Sequence, residues 1–516
     1  MLKWLCRIAM GCLLACSAAC SSTGGDIRLR SSTIPATSYA ARQGPLDARE
    51  MQMARQAWVY FQNNYQPSTG FVNAVDGYPS TTMWDTASYL GALVAARNLG
   101  LIDKREFDDR LGVLLKTLNS LDLFHGELPN KAYNTQTAQK VNYANQPGEI
   151  GYSALDLGRL LIWLKIIEER YPEHANAIDH VVSRWDFSHA VDPCGTLYGA
   201  TIGPDKQVQY VQEGRLGYEE YGASGFQLWG FSTCLASRPE PYSMIPIYCV
   251  DVPFDTRDPR DLAQHNYVVS ESYVLYGLEL GWASATDRTA GMQADLSRHT
   301  WVANFAQRVY QAQENRFLAT GILTARSEHQ LDGDPYFVYD TIYSDGYAWN
   351  TITDKGAYVP QFAAISTKAA VGMWVLWNSP YTDRLADAVW GQYQPSKGYY
   401  EGVLENGKGP IKAFTANNNG IMLEALMFKV DGRLLRFNAD APQPGGRQPS
   451  LWERTLTDPF EPDNALKNRP RAVLRGRTGC GSATLPFGVS ACSSTCQCPT
   501  CQDDAPFVLP AFSQCH

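Results

Sequence analysis

An all-α chain closed into an (α/α)6 toroid is the fold this sequence predicts, and three observations predict it. A segment with a polar or acidic start and an apolar body recurs six times, segments with a single apolar stripe alternate with it, and the alternation extends from about residue 49 to residue 432. A helix apolar on nearly every side must be enclosed by other structure, whereas a one-striped helix packs on one side and faces water on the other. Six inner and about six outer helices suggest a ring of helical hairpins, with an open solenoid or an irregular helical domain as the competing arrangements.

In chain order, residues 1–20 stand outside that ring. Lys3 and Arg7 flank a short apolar run followed by small residues, the pattern of an export signal. Leu13-Leu14-Ala15-Cys16 resembles a bacterial lipoprotein box, which would make Cys16 the lipidated N-terminus and the chain a membrane-anchored protein of the periplasm or cell surface. Ser17-Ala18-Ala19-Cys20 offers Cys20 as the alternative, and an ordinary cleaved signal or uncleaved anchor competes with both. Residues 21–48 lack periodicity and read as a disordered tether.

The ring follows at residues 49–432. Outer segments are expected at Glu50–Asn64, Arg105–Leu121, His174–Trp185, Asp295–Ala312 and Asp383–Tyr393, with a weak one at Asp258–Gln264. In the second of these Phe107, Leu111, Leu114, Leu115 and Leu118 share one stripe. Inner segments begin near Thr81, Gly151, Tyr221, Ser270, Ser366 and Asn418. They are too short and too interrupted by polar residues to cross a bilayer. After Gly432, residues 433–516 form an irregular Pro/Gly- and Cys-rich tail.

Composition narrows the chemistry. A formal charge of −8 with scattered Lys and Arg argues against a nucleic-acid partner. The 13 Trp and 28 Tyr suit a core and a sugar-binding groove alike. Export into an oxidising compartment favours disulfides over zinc for the cysteines crowded at the C-terminus, and Cys234 with Cys249 could bridge the Pro-rich insertion between them. Phosphate-binding glycine loops, zinc-protease helices and nucleophile elbows are missing from the sequence, and the eight His are scattered. No cofactor and no metal site are expected; Asp332-Gly333-Asp334 lacks the ligand run of a calcium loop.

A toroid gathers the N-terminal ends of its inner helices around one mouth, and acidic residues there carry information. Asp85, Glu219, Glu220 and Glu271 fall at such helix starts and are the candidate catalytic carboxylates, with Glu219 or Glu220 as acid and Asp85 or Glu271 as base. Trp84, Glu149, Tyr218, Tyr221, Tyr273, Asp340, Asp345, Tyr347 and Trp349 are the candidate substrate-binding residues. Each acid has a competing role as a helix cap or dipole partner. Asp156 and Glu279 are placed inside helices, as buried hydrogen-bond partners.

The phrases NAVDGYPSTTMWDTASYLGAL (73–93), GYEEYGASGF (217–226), SESYVLYGLE (270–279), FVYDTIYSDGYAWNTI (337–352) and TANNNGIMLEALMFK (415–429) resemble a family of bacterial envelope proteins known only as a domain of unknown function. The resemblance implies a toroidal domain, often in exopolysaccharide-related proteins, similar in plan to glucoamylases and endo-β-1,2-glucanases. It carries over no catalytic residue. Together these readings lead to an expected glycoside hydrolase or transglycosylase of the envelope that cleaves a glucan or exopolysaccharide. The alternative is a non-catalytic carbohydrate-binding scaffold in polysaccharide synthesis or export.

Overall fold

The computed structural model describes residues 39–260, 264–285 and 300–437. The export signal, Cys16, Cys20, most of the tether and the cysteine-rich tail beyond residue 437 lie outside them. Eleven α-helices are present among the described residues: α1 (Ala48–Asn64), α2 (Met83–Asn98), α3 (Lys104–Ser120), α4 (Ala154–Arg170), α5 (Ala175–Ser183), α6 (Tyr218–Leu228), α7 (Glu271–Leu275), α8 (Trp301–Thr320), α9 (Thr367–Leu376), α10 (Pro380–Trp390) and α11 (Ala416–Asp431). None is long and apolar enough to cross a membrane.

Most of these helices start on a side chain that satisfies otherwise orphaned N–H groups of the first turn. Asp47, Thr82, Asp103, Ser153, Thr300, Ser379 and Thr415 do so for α1, α2, α3, α4, α8, α10 and α11. The six apolar segments are the even-numbered α2, α4 and α6, then α7, α9 and α11. They pack in that order, each against the next, and α11 packs back against α2. Every residue of α9 is buried, as an apolar circumference requires. The amphipathic α1, α3, α5, α8 and α10 lie against this cycle, α1 on α11 and α10 on α9.

Glycine permits the tightest crossing. A Cβ built on Gly225 of α6 would stand 1.9 Å from the Gly158 carbonyl oxygen of α4, and one on Gly158 would stand 2.4 Å from the Gly222 oxygen. Because both obstacles are backbone, the helices themselves would have to part. Gly225→Ala should therefore cost about 1–3 kcal/mol of stability, read as a lower urea midpoint at unchanged slope. An unmoved midpoint would show that this contact does not set the helix spacing.

Four expectations need correction. The chain is mostly helical but not all-α: short antiparallel sheets decorate the connections. Their strands span two to six residues, too few to show a period of two in the sequence. Of the outer segment expected at Asp258–Gln264, the described residues 258–260 and 264 are not helical; a hairpin of Tyr242–Ile247 with Val250–Asp255 packs on α8. Pro239, Pro241, Pro246 and Pro253 disfavour a helix in that stretch, and Tyr248 and Cys249, both at positive φ, turn the hairpin. Cys249 is disulfide-bonded, but not to Cys234. Finally, the outer helix expected at Asp295–Ala312 begins only at Trp301, capped by Thr300, and runs to Thr320 before Gly321 ends it at positive φ.

Candidate active site

The first turns of the six central helices converge, and each contributes a polar or aromatic side chain to a common floor: Trp84 from α2, Asp156 from α4, Tyr218 from α6, Glu271 from α7, Lys368 from α9 and Asn417 from α11. Helix N-termini carry partial positive charge and unpaired N–H groups, so a point faced by several of them favours carboxylates. Asn417 ties the floor together. Its Oδ1 accepts from Trp84 Nε1 (3.2 Å), Ser88 Oγ (3.1 Å) and Arg159 Nη1 (2.8 Å), while its Nδ2 donates to Glu271 Oε1 (2.8 Å).

Glu271 and Lys368 form a buried ion pair, 2% and 4% exposed. Against the penalty of burial, the ammonium and then Arg159 and Asn417 hold the Glu271 carboxyl below its usual range. Ser327 Oγ lies 3.4 Å from Glu271 Oε2 and 3.1 Å from Oε2 of Glu328. Glu328 keeps partial exposure, accepts a hydrogen bond from the Tyr218 hydroxyl, and is pushed up by burial and by the Glu271 charge. Its side of the floor therefore holds two carboxyls tuned in opposite directions.

The other side is built by two matching caps. Thr82 Oγ1 donates to Asp85 Oδ2 (2.8 Å) and Ser153 Oγ donates to Asp156 Oδ1 (3.0 Å), each hydroxyl also accepting from the N–H of its Asp. The second oxygen of each carboxyl makes no hydrogen bond among the described residues. Both residues are half-buried. Burial raises Asp85; burial and the neighbouring Glu213 push Asp156 up to about 7. Glu213 itself accepts from the Ala154 N–H (2.6 Å).

Aromatic rings lead outward from this floor. Trp84 stands over Arg159 (4.8 Å) and beside Tyr218 (5.8 Å); Tyr218 meets Tyr267 (6.0 Å), and Tyr267 stacks on Tyr339 (4.7 Å). Tyr143 faces them from the 142–147 loop. It is 67% exposed, and its phenol is pushed up by burial and then by Asp156, Glu213 and Tyr339. Beneath the floor Arg159 reaches Glu424 (3.1 Å) and Glu279 (3.9 Å), both wholly buried. Burial pushes Glu279 up to about 7.

The structure thus brings Trp84, Asp85, Tyr218 and Glu271 together, with Tyr221 just below, its hydroxyl on Glu279 Oε2 (2.5 Å). The other candidates find partners elsewhere. Glu219 bonds Gln212 and lies 3.5 Å from Arg257, and Glu220 accepts from the Gly217 N–H (2.7 Å) as a cap, its carboxyl pushed by burial up to about 8. Tyr273 is buried beside Gly217. Glu149 is exposed and paired with Lys140. Asp340 is buried against Arg326 and the Ala364 N–H (2.9 Å), and Trp349 lies under Arg316 (4.5 Å). Asp345 and the 70% exposed Tyr347 sit on an outer hairpin.

Asp156, read from the sequence as a buried partner, is the third residue of α4 and faces the mouth, because the helix begins at Ala154. Glu328 was missed because it stands far in sequence from the inner segment that begins near Ser366. Lys368 and Asn417 carry neither the acid nor the aromatic signal that marks the other helix starts, and Arg159 lies a turn further into α4. Among the described residues, Asp108, Glu173 and His174 have metal-binding spacing, but Lys104 Nζ already lies 2.7 Å from Asp108 and 3.2 Å from Glu173.

The sequence profile of a family described as Protein of unknown function (DUF3131) matches residues 52–432. No curated protein sequence matches the chain. Among solved structures it is similar to a glucoamylase-like protein of Bacteroides fragilis, at 13% identity and a TM-score of 0.53, covering 77% of this chain and 95% of that one. A second such protein, from Bacteroides caccae, aligns at 12% identity and a TM-score of 0.52, over 74% and 93% of the two chains. An endo-β-1,2-glucanase from Chitinophaga pinensis, solved with sophorotriose and glucose, aligns at 12% identity and a TM-score of 0.51, over 77% and 95%. At such identity the likeness concerns the fold.

Proposed function

Because the chain belongs to this family, whose description assigns no activity, we propose from the mouth itself that it is a glycoside hydrolase cleaving a neutral glucan on an (α/α)6 toroid. The observation that carries the reading is the pairing, over an aromatic floor, of Asp156 near neutrality with the oppositely tuned Glu271 and Glu328. The closed cycle of six inner helices supports the toroid, and the likeness in fold to glucan-degrading proteins supports the substrate class. The export signal and Cys16 would place the enzyme, lipid-anchored, at the bacterial envelope.

Asp156 donates its proton to the glycosidic oxygen as the C1–O bond breaks. A water attacks C1 from the opposite face and gives its proton to Glu328, which sits beyond Tyr218 on the α7 side; Glu328 then releases that proton to solvent, and solvent returns one to Asp156. An inverting pair needs about 6.5–9.5 Å between carboxyls to admit that water. Glu271, with both oxygens engaged, is a positioning residue: its negative charge raises Glu328, and it anchors Asn417 and Lys368. Trp84, half-buried at the floor, provides a sugar-stacking face, and the buried Tyr218 holds Glu328 through its hydroxyl.

The test is reducing-end release, with mass spectrometry, from purified protein offered linear β-glucans and bacterial exopolysaccharides across a pH series. Asp156 must be protonated, so kcat/KM should fall above about pH 7. Glu328 must be ionised, so it should also fall as pH drops through that raised carboxyl range. The expected profile is a bell on the acid side of neutrality. Retention of a glucan without cleavage at any pH would replace hydrolysis by carbohydrate binding alone.

A further inference from the structure

Asp345, flagged by the sequence yet absent from the mouth, lines a separate cavity of about 940 Å³, and Tyr347 stands on the same hairpin. The hairpin Tyr343–Ser344/Tyr347–Ala348 and the 254–258 and 354–355 loops build its walls. Phe254 and Tyr343, with ring centroids 4.8 Å apart, give it an aromatic side. His265 Nδ1 lies 3.2 Å from Asp345 Oδ2, and His265 Nε2 lies 3.0 Å from the Asp354 carbonyl. The Asp354 carboxylate and the Lys355 ammonium, both exposed, make no hydrogen bond among the described residues.

A row of ring contacts links the cavity wall to the mouth. The His265 ring lies 6.0 Å from Tyr339, the outer end of the row that runs through Tyr267 and Tyr218 to Trp84. Its lining includes four aspartates against two arginines and one lysine. That balance disfavours a phosphate or uronate and suits a neutral polyhydroxyl ligand, whose hydroxyls pair with planar carboxylates while its faces lie on rings.

We propose that this cavity is an outer binding site for the same neutral polysaccharide, held at a distance from the scissile bond and reached along the Tyr218–Tyr267–Tyr339–His265 row. The inference rests on the hydrolytic reading of the mouth and adds its substrate class: a long chain rather than a short oligosaccharide. A chain that spans both places gains binding from remote sugars, as one molecule engaging two linked sites does.

The test compares the intact protein with the double variant Asp354→Ala/Lys355→Ala on β-glucan chains of graded length from whichever glucan it cleaves or, where none is cleaved, retains. Calorimetric binding is measured alongside, in an Asp156→Asn background. The expected result is a fall of about tenfold in affinity and in kcat/KM for long chains relative to chains of two to four sugars, the loss of two or three modest hydrogen bonds. An unchanged long-to-short ratio, with cleavage intact, overturns the outer site and leaves the hydrolase reading standing. If nothing is cleaved but the long-chain binding loss persists in calorimetry, the outer site stands and the hydrolase reading falls.

Discussion

Asp156→Asn should lower kcat on the cleaved glucan by about 10²–10⁴-fold while leaving KM within a few fold, because an amide keeps the cap on α4 but has no proton to give. The Ser153 hydroxyl can still donate to the amide oxygen where it now meets Asp156 Oδ1 at 3.0 Å, so folding is preserved. Stability should move the other way. Burial and Glu213 raise the folded-state carboxyl to about 7. The wild-type protein therefore loses stability as pH rises from the unfolded carboxyl range, near 3.9, through that value. The variant does not titrate there, and above pH 7 it should unfold at higher urea than the wild type. Together, lost turnover and gained alkaline stability identify a functional acid. A variant of full activity would remove Asp156 from the mechanism, and one destabilised at every pH would mark it as a structural cap.

Lys368→Met should be the most damaging single change to the fold. The ammonium is 4% exposed and its partner Glu271 2%. Removing one member of a buried ion pair leaves the other charge without compensation and costs about 3–5 kcal/mol. Glu328 and Glu401 also lean on this cation: Lys368 lowers both against burial, which pushes Glu401 up to about 7. The double variant Lys368→Met/Glu271→Gln should recover much of the loss, because position 271 then carries no unpaired charge. Urea unfolding of the wild type, both single variants and the double variant measures the coupling directly. If the two single losses simply add, the ion pair is not what holds the floor. Turnover in the double variant reports separately on Glu271, whose charge positions Glu328 in the proposed mechanism.

How much of the fold was legible depended on element length. The ten residues of α9 have no polar face, and α3 has a single stripe, so periodicity separates inner from outer helices along the described ring. The hairpin Tyr242–Asp255 was not legible, because a Pro-rich stretch excludes a helix more readily than it announces a strand. The acids at the mouth were legible in part. Asp85 and Glu271 were found from their place at helix starts, and Asp156 was lost by misplacing the start of α4 by a few residues, which moved it from a first turn into a helix body.

Read alone, the chain dictates a mostly helical ring, the six apolar segments at its centre and the end of each segment at which polar groups gather, because burial pattern and capping are local in sequence. It cannot tell which of those polar groups meet. Glu219 and Glu220 open α6 as plainly as Glu271 opens α7, yet they turn toward Arg257 and the Gly217 N–H, while Glu271 turns inward to Lys368 and Asn417. Those partners lie about a hundred residues or more further along the chain from Glu271. Only packing of each inner helix on the next, with α11 closing on α2, brings them within 3 Å and shifts the carboxyls apart in proton affinity.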